Sequence, residues 1–383
     1  MSYRIAFIGY GLRSKTMLSA FRDLEAGVEA AAVCEPDPEA ARAGTEGDPL
    51  FASASYYTDP VQMLEECRPD GVFIGTRCPL HTPMALKVLD RRLPLFLEKP
   101  VAISEAQLAA LAEAGRGQED RVVVSFPLRL CAVVQEMKRI VSSGILGRLT
   151  MVQAVNNVPY GSVYYHSWYR DPSLTGGLFL QKATHDIDYI SYLTGETPVQ
   201  AFAQTAKLYF KGDRPAGLRC PDCPDYRTCP ESSYVVERIQ KDDVQGDACC
   251  FAVDTGNEDN ACAIFTCPSG LLISYSQSFV VKRTGARRGC RLIGTEGSAE
   301  FDFYTGEIRH DDYRTPQTVT HRIINTGNHF GGDQRLALAF LSVMDGKPSP
   351  AGLTSGLASA ACCLAARRSG ETGRPEAVPA FLP

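Results

Sequence analysis

No apolar stretch in the chain reaches the roughly 18–20 residues needed to cross a bilayer, so no spanning helix is expected. Nor is there a surplus of positive charge. Lys and Arg number 39 against 44 Asp and Glu, a formal net charge of −5, without the basic footprint of a nucleic-acid binder. No charged n-region and apolar h-region stand ahead of "MSYRIAFIGYG", so no export signal is read and a cytoplasmic location is expected. Internal repeats and low-complexity tracts are missing as well, which excludes solenoids and disordered arrays. Cysteine is not scarce. Its 14 copies are scattered without a leader, and reduced thiols are expected in preference to a disulfide framework. What remains is globular: 383 residues, 44% hydrophobic and 22% charged, too long for one ordinary core, so two domains are expected.

The first segment carries a nucleotide signature. "YRIAFIGYGLRSKTM" is a short apolar run, then Gly9-x-Gly11, then a helical pattern. Glycines at that point allow a tight turn and close approach of a pyrophosphate to backbone N–H groups at the helix start. Ser14 occupies the third glycine position. The next strand, "VEAAAVCEPD", ends in Glu35, whose carboxylate can accept from ribose hydroxyls and repel a 2′-phosphate; NAD is therefore favoured over NADP. Glu35 and Asp37 also read as a solvated loop or a helix cap. Strand and helix signals then alternate through "RPDGVFIGT", "PLHTPMALKVLDRR", "LPLFLEKP", "SEAQLAALAEAGRG" and "RVVVSFPLRL". That order predicts a parallel α/β sheet, with the loops at the carboxyl ends of its strands gathered around one ligand.

"GGLFLQKATHDID" raises a separate question. Gln181, Lys182 and His185 sit in an apolar run at offsets that place both earlier groups beside the histidine on a helix. They read either as a satisfied core or as part of an active site. Later segments, "NACAIFTCPSGLLISYSQSFV", "CRLIGTEGSAEFDF" and "GEIRHDD", predict antiparallel meander strands. "GGDQRLALAFLSVMDG" and "SGLASAACCLAARRSG" predict closing helices.

With "LFLEKPVAIS" and "GGLFLQKATHDIDYI" both in view, the chain resembles the Gfo/Idh/MocA family of sugar and polyol oxidoreductases. "GYG", "LIGTEGSAEFDF" and "HFGGDQRLALAFLSV" extend the match over most of the chain. The resemblance implies an N-terminal Rossmann domain (1–125) and a C-terminal α/β domain with a largely antiparallel open sheet (126–383). A cysteine-rich insertion (218–232) lies in the latter, and a C-terminal helix is expected to pack back on the first domain. The sheet implies a homodimer or homotetramer. Gly9, Tyr10, Gly11, Leu12, Arg13 and Glu35 are then the cofactor turn and its ribose partner. Thr76, Arg77, Leu80 and His81 lie along the cofactor. Lys99 stands beside the nicotinamide and the reacting hydroxyl, buttressed by Glu98, and His185 matches the catalytic histidine. Trp168 and Arg170 line nicotinamide and substrate, with Arg129 and His329 as further pocket candidates. Many members carry a carboxylate where this chain has Gln181, which leaves proton transfer to Lys99, His185 and Lys182.

The implied reaction removes a proton from a ring hydroxyl while hydride goes to the cofactor, with a base of near-neutral pKa. His185 or Lys99 is the expected base, with Lys182 binding substrate hydroxyls or tuning the pair. The expected substrate is a sugar, glycoside or cyclitol. An alternative is an NAD-dependent glycosidase that oxidises C3, eliminates and re-reduces. A non-catalytic NAD sensor is a third reading, and the retained Lys99 and His185 count against it. Asp186 and Asp188 read as structural partners or substrate contacts. Cys220, Cys223 and Cys229 form a C-x2-C-x5-C array, with Cys249 and Cys250 about 20 residues on. The spacing admits structural zinc, a reduced or cystine-linked loop, or a redox role.

Overall fold

The computed structural model describes residues 2–324 and 327–381. They fall into two compact units: the described residues of Met1–Gln135, Asn325–Ala361 and Ala380–Pro383, and those of Glu136–Ile324 with Cys362–Pro379. The first unit thus runs ten residues past the expected boundary at 125 and takes in a later segment of the chain.

The first unit is built on six strands: β1 (Tyr3–Ile8), β2 (Val28–Cys34), β3 (Ser55–Tyr57), β4 (Gly71–Ile74), β5 (Leu95–Leu97) and β6 (Val122–Val124). Their order is β3-β2-β1-β4-β5-β6 and every pair is parallel. This is the Rossmann order, with its switch point between β1 and β4. The strands are near-continuous apolar runs because helices cover both faces of a parallel sheet. Phe7, Phe73 and Phe96 form its centre, all fully buried. The helix Gly332–Met344 adds Leu336, Phe340 and Val343 to the same core; Phe340 meets Phe96 edge-on at 5.7 Å.

At the switch point two strand ends nearly touch. Gly9 adopts φ +86°, and a Cβ there would lie 2.8 Å from the backbone of Gly75 and Thr76. Ser14 explains its departure from glycine: its hydroxyl donates to the Gly9 carbonyl at 2.7 Å. Only a small side chain fits, since a Cβ on Gly75 would stand 2.6 Å from that same oxygen.

The second unit holds β7 (Leu149–Asn157), β8 (Gln200–Ala206), β9 (Asn260–Thr266), β10 (Leu272–Ser278), β11 (Arg287–Gly294), β12 (Gly297–Asp302), β13 (Glu307–Asp312), β14 (Thr318–Arg322) and β15 (Glu376–Ala377). They form one sheet in the order β14-β13-β12-β11-β7-β10-β9-β8-β15, antiparallel except where β7 runs parallel to β10. The expected largely antiparallel open sheet is therefore observed. Burial alternates along β8, β9 and β10, as in a sheet packed on one face. The helix Leu178–Thr194 is buried throughout Leu178–Ile190, its polar residues included. Among the described residues no helix is long and apolar enough to cross a membrane.

The crowding at Gly9 has a measurable consequence. Gly9→Ala should cost about 1–3 kcal/mol from strain at positive φ, with more where the backbone of Gly75 must move. Thermal unfolding of the variant checks this, and an unchanged midpoint would show that the two strand ends are not in contact.

Candidate active site

In the first unit the candidate residues gather on loops after β1, β2, β4 and β5. The helix Leu12–Asp23 starts at Gly11 with no side-chain cap, which leaves its first N–H groups to an outside acceptor. Glu35, at the end of β2, accepts a hydrogen bond from the Tyr10 N–H, so a carboxylate stands against the glycine turn. A turn that excludes any Cβ, an uncapped helix start and an acidic group after β2 fit NAD.

The side chain of Arg13 faces elsewhere. Its guanidinium donates to Glu98 (2.9 Å), Asp333 (3.0 Å) and Ser125 (3.2 Å), so what it offers a nucleotide is its backbone. Glu98 and Asp333 are both buried. Asp333 also accepts from His329 Nδ1 at 2.8 Å. Burial pushes the Asp333 carboxyl up, but His329 and Arg13 outweigh it and hold the group well below the usual range. His329 sits at φ +46° and Phe330 at +57°, a left-handed bend that swings the histidine back over the start of its helix. Thus Glu98, Arg13, Asp333 and His329 form one connected chain that ends next to Lys99. Asp333 was not foreseen, because its partner lies 320 residues away.

His81 is likewise taken up by the protein. Its ring nitrogens face the carbonyls of Pro100 (2.8 Å) and Thr76 (3.1 Å), and burial lowers its pKa. Thr82 donates to the Val101 carbonyl at 2.8 Å. Together they pin the Glu98-Lys99-Pro100 turn to the loop after β4, leaving Thr76, Arg77 and the exposed Leu80 as the outward groups of that segment. Arg129 is buried, and donates to the Pro350 carbonyl at 3.1 Å.

In the second unit the polar groups of "LFLQKATHDID" have separate tasks. Asp186 is fully buried and accepts from Arg288 Nε (2.8 Å), Asn156 (2.8 Å) and the Tyr275 hydroxyl (2.9 Å). Of the two roles expected for it, the structural one is what the geometry supports. Lys182 donates to the Tyr160 hydroxyl at 3.0 Å and lies 4.8 Å from the ring centres of both Tyr160 and Tyr164. Gln181 and His185 are buried beside it. Glu258, which the sequence did not single out, receives the Phe179 N–H at 2.5 Å and anchors the start of this helix. Burial raises its pKa despite the backbone donors. Arg170 is buried against Asp254 (2.6 Å) and Thr255 (2.9 Å), so its charge is already matched. Trp168 stacks on Tyr169 at 4.0 Å.

Of the three readings of the cysteine array, structural zinc finds no support. Among the described residues no group of three or more His, Cys, Asp or Glu is arranged to hold a metal, and none of the 14 cysteines is joined in a disulfide. Cys250 lies 3.5 Å from His166 Nε2 and Cys220 lies 3.9 Å from its Nδ1, while Cys223 and Cys229 are only half-buried. Burial raises the thiols of Cys220 and Cys250. The insertion is clamped instead by a two-armed Arg219–Asp247 pair at 2.9 and 2.6 Å.

A Rossmann unit with a closed glycine turn and a buried, buttressed Glu-Lys-Pro loop, joined in one chain to a sheet unit bearing a polar helix, defines an NAD-binding oxidoreductase. Residues 3–126 match the model "Oxidoreductase family, NAD-binding Rossmann fold" and residues 134–300 match "GFO/IDH/MocA C-terminal domain". The chain belongs to the Gfo/Idh/MocA family. It is 25% identical over 317 residues to a "Putative oxidoreductase YteT" of Bacillus subtilis, covering 72% of each chain. To "Inositol 2-dehydrogenase 2" of Saccharopolyspora erythraea it is 30% identical over 229 residues, covering 59% of this chain and 62% of that one. Among solved structures, a levoglucosan dehydrogenase with NADH and levoglucosan shares the fold at TM-score 0.79 and 16% identity, over 99% of this chain and 100% of that one.

Two outcomes test this geometry. The folded Asp333 carboxyl titrates below its unfolded value, so its stabilisation is full above about pH 5 and fades as pH falls past about 3.9. Asp333→Asn should therefore lose about 2–3 kcal/mol at neutral pH, and its gap in Tm from the parent chain should close in acid. A gap independent of pH would refute the ion pair. For the cysteine loop, dialysis against EDTA should leave Tm unchanged and release no zinc; a stoichiometric release would establish a zinc site there.

Proposed function

We propose that the chain is an NAD-dependent dehydrogenase acting on a ring hydroxyl of a sugar, glycoside or cyclitol. The observation that carries this reading is the helix Leu178–Thr194, which buries Gln181, Lys182 and His185 where packing alone would select leucine. Buried polar and charged groups are costly to keep, and a row of donors suits a polyol. The curated relatives include inositol 2-dehydrogenases. A structural neighbour is bound to levoglucosan.

Bound NAD supplies the hydride acceptor. Glu35 selects against a 2′-phosphate by its charge. Lys99 and His185 serve as the proton-transfer pair, one taking the hydroxyl proton and the other polarising the oxygen. Lys182 binds a substrate hydroxyl. Thr76, Arg77, Leu80 and Trp168 contribute to the cofactor and substrate surfaces.

The redox-neutral glycosidase is a second reading. It needs a further base, and the Lys182–Tyr160 pair favours it to that extent. We also propose a homodimer or homotetramer through the second unit's sheet. Phe202, Ile264 and Leu272 remain exposed on β8, β9 and β10, and Phe202 stands directly across from Ile264. Cysteines outside any disulfide fit a reducing cytoplasm.

A panel of polyols, myo-inositol and levoglucosan included, assayed for NADH formation tests the main reading. Lys99→Ala and His185→Ala should each reduce turnover at least about 100-fold, with NAD binding retained. Near-normal turnover in either variant would remove that residue from the mechanism. Cleavage of an aryl glycoside without net NADH would favour the second reading.

A further inference from the structure

Tyr160 belongs to no motif, yet the fold places it with care. It follows β7 at a point where the chain is pressed onto a neighbouring strand end: a Cβ on Gly161 would lie 1.7 Å from the Phe279 carbonyl oxygen. Tyr160 is 37% exposed as a residue, while Lys182, whose ammonium it meets, is buried. Lys182 reaches the phenol oxygen at 3.0 Å and both aromatic faces at 4.8 Å. Among the described residues no carboxylate lies within ion-pair distance of that ammonium. A buried charge is thus balanced by one phenol and two ring faces.

We propose that Tyr160 and Lys182 act as one unit that grips a second hydroxyl of the substrate, next to the one oxidised. This rests on the dehydrogenase reading above. Lys182 and His185 stand three residues apart, about one turn of helix, where side chains are neighbours. Two polar groups at that spacing suit two oxygens of one ring better than a single oxygen. With Lys182 donating into the phenol oxygen, the phenolic O–H is left to donate outward. Once ionised, the same oxygen accepts.

The surroundings favour such sharing. Burial opposes ionisation of Tyr160, but Lys182 and Arg288 outweigh it and bring the phenol below its ordinary value, with Asp186 acting in the opposite direction. Tyr164 from the short helix Val163–His166 and Tyr304 beyond β12 complete the facing groups. Arg288 is held at full charge by Asp186, so its field at the phenol persists across the working range of pH.

The test has two arms. Near-ultraviolet tyrosinate absorbance, followed through a pH titration of the full chain, should show one tyrosine ionising ahead of the ordinary value of about 10. Tyr160→Phe should abolish that early step, and Lys182→Met should move it upward. In the kinetic arm, a cyclitol is compared with the deoxycyclitol lacking the hydroxyl next to the oxidised carbon. Tyr160→Phe should lower kcat/KM on the cyclitol about 10- to 100-fold, mostly through KM, and leave the deoxycyclitol unaffected.

Superimposable titrations of the parent and Tyr160→Phe chains would overturn the pair. An equal loss on both substrates would overturn the second-hydroxyl role. A chain that oxidises no polyol fails the dehydrogenase reading by itself, because the titration needs no substrate.

Discussion

The buried contact between Asp186 and Arg288 sets the geometry of the second unit. Two charges taken from water cost several kcal/mol each unless hydrogen bonds complete their shells. Asp186 meets that demand with three donors, from β11, β7 and β10. Those strands are neighbours in the sheet, so the carboxylate is a tie point for three of them at once. The tie fixes the rotation of the helix as well as its position. Asp186 must point at the sheet, and helical periodicity then dictates where Lys182 and His185 stand. A leucine at 186 would pack the helix without specifying its rotation to the same degree.

The first unit solves a similar problem with a different chain of charges. The Glu-Lys-Pro turn needs a rigid support, and it receives two. His81 and Thr82 hold its carbonyls from one side, while Arg13 holds Glu98 from the other. Arg13 sits in the nucleotide turn itself, so the turn that meets a cofactor and the loop that carries Lys99 are braced by one guanidinium. Asp333 and His329 extend the brace to the start of a helix that is remote in sequence. The two units share a tactic: groups that would do chemistry are oriented by charged neighbours whose own charges are already matched.

This separation explains what could be read from the sequence. Local pattern carries local structure, so five of the six parallel strands, the β9–β10 hairpin and the glycine turn were legible from apolar runs and turn residues, while the three-residue edge strand β3 was too short to show a pattern. Ser14 could be seen as a departure, but its bond to the Gly9 carbonyl could not. The parallel pairing of β7 with β10 joins segments more than a hundred residues apart, and no periodicity announces it. Arg288, Asp333 and Glu258 were invisible for the same reason: each acts on a partner far along the chain, and a lone charge in a sequence most often reads as a solvated one. Spacing also left alternatives open. The C-x2-C-x5-C array satisfies the local requirement of a zinc site, but among the described residues no group of three or more ligands is arranged to hold a metal, and Cys220 and Cys250 both lie beside His166.

Gln181 shows how these levels combine. The resemblance sets a carboxylate there, four residues before His185 on the same face of the helix, and the amide removes that anion from the histidine's side. Asp186 cannot substitute, since Arg288 holds it under the sheet. The charge of Lys182 is met from outside the helix, where Tyr160 and Tyr164 are what the fold brings to it. Positions 181 and 182 are consecutive and do not share a helix face, so the amide changes what His185 meets while the phenol answers the lysine.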